Sequence, residues 1–294
     1  MNPLAVAQAQ AARDNKALDA LFARYIGSAE HPRGRVLVAY RNARRAMMSA
    51  LQEPGLRRGL AVREVLDGLR RELAAAGSLL YQEAASRGHD SAQRQVRAYL
   101  ADDPTFPWIG DQADTGPLVM GWLAQVDAQL AVLEALAQGG DLALLLGDDN
   151  RVGAMSPAPL ATEAAWWAAI ALLTGIRAYL YGRDGRGRER AQYNKQAVAA
   201  IDHRTTDCCL RVHGQVQALD TPFRLTGEPR FADRLDWPPF HWWCRTSVAL
   251  YLPKYDDELT VQMRGAARRE LDARKATGTT QLIWPSHARS GRGG

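Results

Sequence analysis

Apolar residues recur at helical spacing through most of the first 180 residues, and this pattern limits the possible folds more than any other feature. The first run ends near Gly27 and contains Leu4, Ala7, Ala11, Leu18, Leu21, Phe22 and Tyr25. Because such spacing puts apolar side chains on one face of a helix, the run predicts a helix. Residues 35–86 predict two or more amphipathic helices interrupted at Pro54-Gly55, and residues 118–137 and 162–181 predict two more.

The chain has a different pattern from residue 191 onward. Residues 191–201 predict one more helix, whereas the short runs GQVQAL, FRLTG and TSVALYLP have the alternating or β-branched character of strands. Residues 256–276 are charged and predict a helix. The sequence therefore predicts a mainly α protein, with a helical N-terminal half and a small α+β C-terminal domain. We place the ranges at 1–157, 158–255 and 256–294, the last being a basic helix and a flexible tail.

The net positive charge of +5 is concentrated at the C-terminal end of the chain. Residues 264–294 contain two acidic residues, Glu270 and Asp272, and the cations Arg264, Arg268, Arg269, Arg274, Lys275, Arg289 and Arg292. A basic tail of this kind is typical of proteins that contact nucleic acid or an acidic protein surface. An arginine-rich composition without any such role explains the pattern equally well.

The apolar content and the position of the apolar runs exclude some classes of protein. An apolar fraction of 47% is too high for a wholly disordered chain. The N-terminus lacks the pattern of a secretory signal, which predicts synthesis in the cytosol. The most apolar run, residues 164–176, is shorter than the roughly 20 residues that cross a bilayer, so we expect no membrane span. Three cysteines are then expected as thiols or metal ligands rather than disulfides.

Four residues in the C-terminal half could bind one metal ion: Cys209, His213, His241 and Cys244. His241 and Cys244 have the spacing by which one turn directs two ligands at a tetrahedral ion such as zinc. An ion bound there would close the long loop from Cys209 to His241 and stabilise a small domain. The alternative is that the cysteines are buried apolar residues and the histidines form local hydrogen bonds.

Patterns of catalytic residues are incomplete in this sequence. His-Glu-x-x-His and the zinc deaminase pattern are both absent. Cys209 could act as a nucleophile with His213 or His241 as its base, but no oxyanion or substrate site accompanies these residues. We therefore predict no catalytic residue, and no small-molecule substrate.

Two segments, DHRTTDCCLRVHGQV and DWPPFHWWCRTSV, resemble the signature of the Mu protein F-like head morphogenesis family, the minor capsid proteins of tailed bacteriophages. In that family a D-x-R-T segment precedes C-x-x-x-[HD]-G, and P-P-x-H-x-x-C-R follows. The matching residues are Asp202, Arg204, Thr205, Cys209, Gly214, Pro238, Pro239, His241, Cys244 and Arg245. The resemblance covers residues 162–252 and identifies 158–255 as the head morphogenesis domain.

The chain departs from the family pattern beside the first segment. Many members carry a cysteine directly after the D-x-R-T threonine, whereas this chain has Thr206 there and a cysteine at Cys208. Cys208 is not expected to replace that ligand, because neighbouring side chains of an extended chain point to opposite sides. His213 or Asp202 could serve instead, or the site is metal-free.

The remaining motif residues are expected to build a structural clasp. Pro238-Pro239 would fix the direction in which the chain enters the site, so that His241 and Cys244 face the Cys209 segment. Large buried areas are expected for Trp237, Trp242 and Trp243. Arg245 is expected to pair with Asp202 or Asp207, or to be solvated.

The resemblance implies a structural protein of the phage head, assembled in the host cytoplasm and present in the virion. Its expected partners are the portal or the major capsid protein, possibly with packaged DNA and without a membrane. The apolar stripes of residues 60–85 and 118–137 are expected to be wide enough for both an internal core and a docking face. The alternative hypothesis is a zinc-containing nucleic-acid-binding protein or metal-dependent nuclease, with the basic tail on phosphates.

Overall fold

A computed structural model describes residues 2–102, 113–147, 153–180, 194–202, 204–225, 234–241, 243–255 and 258–279. These residues form eight α-helices: α1 (Pro3–Leu21), α2 (Arg35–Ala50), α3 (Gly55–Asp102), α4 (Gly116–Gly139), α5 (Leu142–Leu146), α6 (Ala158–Leu180), α7 (Asp207–Val212) and α8 (Glu258–Thr277). A π-helical turn, Phe22–Ile26, continues α1, and a 3-10 turn, Pro253–Tyr255, precedes α8. The prediction of a mainly α protein with a small α+β C-terminal part is confirmed.

The described residues of the C-terminal part form five short strands: β1 (Asn194–Ala199), β2 (Val216–Ala218), β3 (Phe223–Arg224), β4 (Arg234–Leu235) and β5 (Thr246–Tyr251). Strands β2, β1 and β5 form an antiparallel sheet in that order, and β3 pairs with β4. The register pairs Lys195 with Leu250 and with Gln217.

The predicted helix over residues 191–201 is wrong, because residues 194–199 are the central strand β1. The sequence pattern did not indicate a strand because Lys195 and Gln196 are polar yet fully buried. Lys195 Nζ donates to the carbonyl oxygens of Leu219 (2.9 Å) and Asp236 (2.5 Å), so its charge is compensated inside the protein. A strand buried on both faces shows no polar and apolar alternation.

The described chain divides into two compact units by its contacts. Unit 1 comprises Met1–Leu18, Ala84–Ala113 and Ala169–Gly294, and unit 2 comprises Asp19–Glu83 and Asp114–Ala168. Both units are therefore discontinuous in sequence, whereas the ranges predicted above are continuous. Residues of α1 and of the second half of α3 belong to the same unit as the C-terminal sheet.

Side chains from α1 and α3 form hydrogen bonds with the backbone of the sheet in unit 1. Tyr99 donates its hydroxyl to Leu250 O (2.8 Å), and Gln95 both donates to Val248 O (3.3 Å) and accepts from Leu250 N (2.7 Å). Asn15 donates to the carbonyl of Val198 (3.2 Å). Because β5 is an edge strand of this sheet, Gln95 and Tyr99 supply there the partners that another strand would provide.

A buried carboxyl group lies beside these contacts. Asp14 accepts hydrogen bonds from Ser91 Oγ (2.7 Å), Gln10 Nε2 (3.1 Å) and Ser247 Oγ (3.3 Å). Burial raises the pKa of Asp14 to about 6, although these hydrogen bonds and the charge of Arg94 act in the opposite direction.

In unit 1, two glycines allow the backbones of α3 and α6 to pack closely against each other. A Cβ atom on Gly88 would lie 1.9 Å from Leu172 O, and one on Gly175 would lie 2.1 Å from Ala85 O. Since both obstacles are backbone atoms, no rotamer change makes room for a side chain.

Unit 2 is a helical assembly whose core includes one face of α4. The buried residues of that face are Leu118, Trp122, Val126, Leu130, Leu133 and Ala137. Trp122 donates its indole N–H to Leu73 O (3.0 Å) and packs edge-to-face on Tyr81. The spacing of three and four residues is the one that the sequence pattern predicted.

Helices α4 and α6 are long and apolar enough to cross a bilayer by length and composition alone. Core helices of soluble proteins pass the same test, and 56% of the relevant window of α6 is buried in the protein, against 28% for α4. The apolar run of residues 164–176 is only part of α6. The absence of a membrane span stays a prediction.

Candidate metal centre

Cys208 and Cys209 lie in the first turn of helix α7, which begins at Asp207 directly after Thr206. The prediction assumed an extended chain here, and that assumption is wrong. Neighbouring residues of a helix are separated by about 100° rather than 180°, so both thiols can reach one side. Both cysteines are buried.

The thiols meet His241 from the second motif. Cys209 Sγ lies 2.9 Å from His241 Nε2 and 3.6 Å from Cys244 Sγ. Ligand atoms of Cys208, Cys209 and His241 all lie within 4.8 Å of one another, so this group could bind a metal ion. We call Cys208, Cys209, His241 and Cys244 the Cys/His cluster.

The distances in the cluster can be compared with those of a tetrahedral zinc site. Two sulfurs bound at about 2.3 Å lie about 3.8 Å apart, close to the 3.6 Å between Cys209 and Cys244. A sulfur and a nitrogen ligand lie about 3.5 Å apart, so the Cys209–His241 pair at 2.9 Å must open by about 0.6 Å. All three cysteines are free thiols.

Thr206 occupies the place at which many members of the resembled family carry a cysteine. Its hydroxyl lies 2.7 Å from His241 Nε2 and 3.2 Å from Cys208 Sγ. The threonine therefore faces the cluster, and the helical turn that follows brings the thiol of Cys208 to it. Sequence reasoning missed both contributions because it lacked the helix.

The electrostatics of the cluster favour a charged histidine beside sulfur. Burial alone would lower the pKa of His241, but its electrostatic interactions and hydrogen bonds with Cys209 and Cys244 raise that pKa well above its usual value. Burial strongly raises the pKa of the Cys244 thiol. A divalent cation would offset this rise of the thiol pKa, since a metal ion deprotonates the thiols that bind it.

His213 is directed away from the cluster. Its Nδ1 accepts a hydrogen bond from the N–H of Ala199 (2.9 Å), and burial lowers its pKa to about 4. The group of ligand atoms within 4.8 Å of one another, Cys208, Cys209 and His241, contains neither His213 nor Cys244. The structure thus brings together Cys209, His241 and Cys244 of the four candidate ligands, adds Cys208, and gives His213 a bond to β1.

Gly214 follows His213 with a φ of +77°, a conformation that favours glycine. A Cβ atom there would lie 2.9 Å from Arg264 Cγ of α8. Arg264 donates its Nε to the carbonyl oxygen of Gly214 (3.0 Å), so this glycine is a contact point between the first motif and α8.

Asp202 pairs with Arg245, which is one of the three outcomes predicted for that arginine. Asp202 also accepts from Arg204 N (3.0 Å) and from the hydroxyl of Thr205 (3.3 Å). Burial would raise the pKa of Asp202, but the hydrogen bonds from Arg245 and Arg204 hold it below its usual value. The D-x-R-T segment is thereby a turn closed by its own aspartate.

Arg274 was predicted, with the other cations of the basic tail, to contact nucleic acid, and its burial contradicts that prediction. The side chain is buried and donates to Thr205 O (2.5 Å), Asp202 O (2.7 Å), Asp207 Oδ1 (3.0 Å) and Glu270 Oε1 (2.9 Å). An arginine with these partners fastens α8 to the first motif. Sequence spacing alone does not distinguish it from its exposed neighbours on α8.

The second motif begins with a cis peptide bond between Pro238 and Pro239. Trp237 donates its indole N–H to Leu219 O (3.2 Å), and the Lys195 ammonium lies 4.8 Å from its ring centroid. The expectation of a buried Trp243 is wrong, because 44% of that residue is exposed. Trp242 lies outside the described residues.

The other predicted cations divide into two groups. Arg264, Arg268, Arg269 and Lys275 are exposed on α8, whereas Arg289 and Arg292 lie outside the described residues.

The chain matches no family model, and comparisons with curated proteins and with solved structures give no match.

Proposed function

We propose that this protein is a minor head protein of a tailed bacteriophage, of the Mu protein F-like kind, and that its Cys/His cluster is a structural clasp. One observation supports this most: the two motif segments that resemble the family meet in one place. Cys209 of the first contacts His241 and Cys244 of the second, and Asp202 pairs with Arg245.

The burial of the cluster favours a structural role over a catalytic one. Cys209 is fully buried, and Cys244 and His241 are almost so. The cluster is packed among Ala197, Val212 and Phe223, with other apolar residues around it. A nucleophile or a catalytic metal needs an open position for its substrate.

We further propose that the cluster binds zinc through Cys208, Cys209, Cys244 and His241. Soft thiolate and imidazole ligands suit this ion, and structural sites use all four positions. Thr206 would then hydrogen-bond at the edge of the site, where the family pattern has a ligand.

The zinc proposal is tested by elemental analysis of protein purified without chelator. We expect about one zinc per chain, lost in His241→Gln and retained in His31→Gln, which alters an exposed histidine far along the sequence. A metal-free wild-type protein with an unchanged fold would leave a clasp held by hydrogen bonds and packing alone.

Docking on a portal or capsid protein is supported by exposed apolar side chains of unit 2. Leu60 on α3 and Met120 and Val132 on α4 are exposed, on helices whose other faces form the core. Such residues are the usual anchors of a helical docking face.

The head proposal is tested by mass spectrometry of purified phage particles and of empty heads assembled without the gene. We expect the protein in particles at few copies, and we expect heads made without it to be defective. Absence from both mature particles and assembly intermediates would contradict the proposal. It would favour the nucleic-acid-binding or nuclease alternative, which metal-dependent cleavage of plasmid DNA by the purified protein would support.

A further inference from the structure

A groove of about 930 Å³ lies in unit 1 between α8 and the segment that runs from α7 through β2 to β3. Its apolar lining includes Leu210, Val216, Val261 and Leu271. All parts of this groove belong to the C-terminal third of the chain, and the Cys/His cluster does not line it.

Positive charge dominates the groove. The cations that line it are Arg211 on α7, Arg224 on β3, and Arg264, Arg268 and Lys275 on α8. Two carboxylates, Asp207 and Asp272, also line it, and Asp207 is already paired with the buried Arg274. Five cations against one remaining carboxylate give the groove a strong attraction for anions.

The fold holds two of these cations, Arg224 through its backbone and Arg264 through its side chain. The backbone N–H of Arg224 donates to Gln215 Oε1 (3.0 Å), which fixes the strand end that carries it. Arg264 is anchored on Gly214 O (3.0 Å). Preorganised donors lose less conformational entropy on binding than free surface side chains do.

The arrangement along α8 fits an extended polyanion rather than a single anion. Arg264, Arg268 and Lys275 are separated by four and seven residues, which corresponds to about 6 Å and about 10 Å along the helix axis. One phosphate could contact only part of a row about 16 Å long. A chain of phosphates could contact all of it.

We propose that this basic groove, lined by Arg211, Arg224, Arg264, Arg268 and Lys275, binds the sugar-phosphate backbone of nucleic acid without preference for base sequence. Guanidinium groups match phosphate oxygens in bidentate geometry. No Phe, Tyr or Trp is present among the described lining residues, so the groove offers no platform on which bases could stack. The inference goes beyond the proposed function and depends on neither zinc nor a place in a phage head.

The test is the binding of the full chain to a fluorescein-labelled 20-base-pair DNA duplex, followed by fluorescence anisotropy at several salt concentrations. The groove variant is Arg224→Gln/Arg268→Gln/Lys275→Gln. The matched control, Arg44→Gln/Arg57→Gln/Arg71→Gln, removes the same charge from exposed positions of α2 and α3. Circular dichroism checks that each variant is folded, and Arg268→Gln alone is the fallback for a misfolded groove variant.

We expect the groove variant to bind at least about tenfold more weakly than the control and the slope of log K against log salt to fall by about 3. Two duplexes of unrelated sequence should bind within about threefold of each other. Equal affinity of groove variant and control would overturn the proposal. So would a polyglutamate competitor that displaces the duplex at a lower charge concentration than unlabelled DNA, which would assign the groove to an acidic protein.

Discussion

Arg274→Gln should be among the most destabilising single changes in the C-terminal part of the protein. The substitution leaves Asp207 buried without its cation and removes the donors to the carbonyl oxygens of Thr205 and Asp202. Loss of one partner from a buried ion pair costs about 3–5 kcal/mol, and each unsatisfied carbonyl adds to that cost. We expect a loss of about 4 kcal/mol in the local free energy of opening.

Amide hydrogen exchange with mass spectrometry measures this loss where it occurs. Peptides that cover residues 205–213 should exchange several hundred-fold faster in Arg274→Gln, since every 1.4 kcal/mol is about tenfold. Arg269→Gln is the matched control, because it removes the same charge from an exposed site on α8 and should change stability by less than about 0.5 kcal/mol.

A double-mutant cycle separates the ion pair from the other contacts of Arg274. If the pair carries much of the effect, Asp207→Asn combined with Arg274→Gln should cost clearly less than the two single changes added together. Exchange in Arg274→Gln as slow as in Arg269→Gln would refute the view that this arginine fastens α8 to the first motif.

Three further predictions concern the buried carboxyl group of Asp14 and the two glycines Gly88 and Gly214. Because the pKa of Asp14 is raised from 3.8 to about 6, its protonation contributes stability that is present below pH 3.8 and lost as pH rises through 6. Asp14→Asn should remove about 3 kcal/mol of this pH dependence in urea titrations. Gly88→Ala should lower the melting temperature by several degrees, whereas Gly59→Ala, in open space on the same helix, should raise it slightly. Gly214→Ala should cost about 1–3 kcal/mol in urea unfolding, because alanine is strained at a φ of +77°.

The regular helices could be predicted because their apolar residues repeat with the period of the helix. The meeting of Cys209 with His241 and Cys244 was also expected from the sequence, as a consequence of the two motifs. Strand β1 could not be predicted, since its polar residues Lys195 and Gln196 are buried through partners that are distant in sequence.

Two parts of the site depended on local geometry that residue types do not encode. Cys208 was excluded on the assumption of an extended chain, whereas the turn of α7 directs it to the cluster. Arg274 has the same charge and sequence surroundings as the exposed arginines of α8. Only its position opposite Asp207 gives it a buried role.

The bonds from α3 to β5 also affect the protein while it is being made. Gln95 and Tyr99 leave the ribosome about 150 residues before their partner Leu250, from which they are separated by 155 and 151 residues. At about 5–20 residues per second, this delay lasts roughly 8–30 s. During that time the second half of α3 has a polar face built for a strand that has not yet been synthesised. Each new chain therefore passes through an interval in which Gln95 and Tyr99 cannot yet form these bonds.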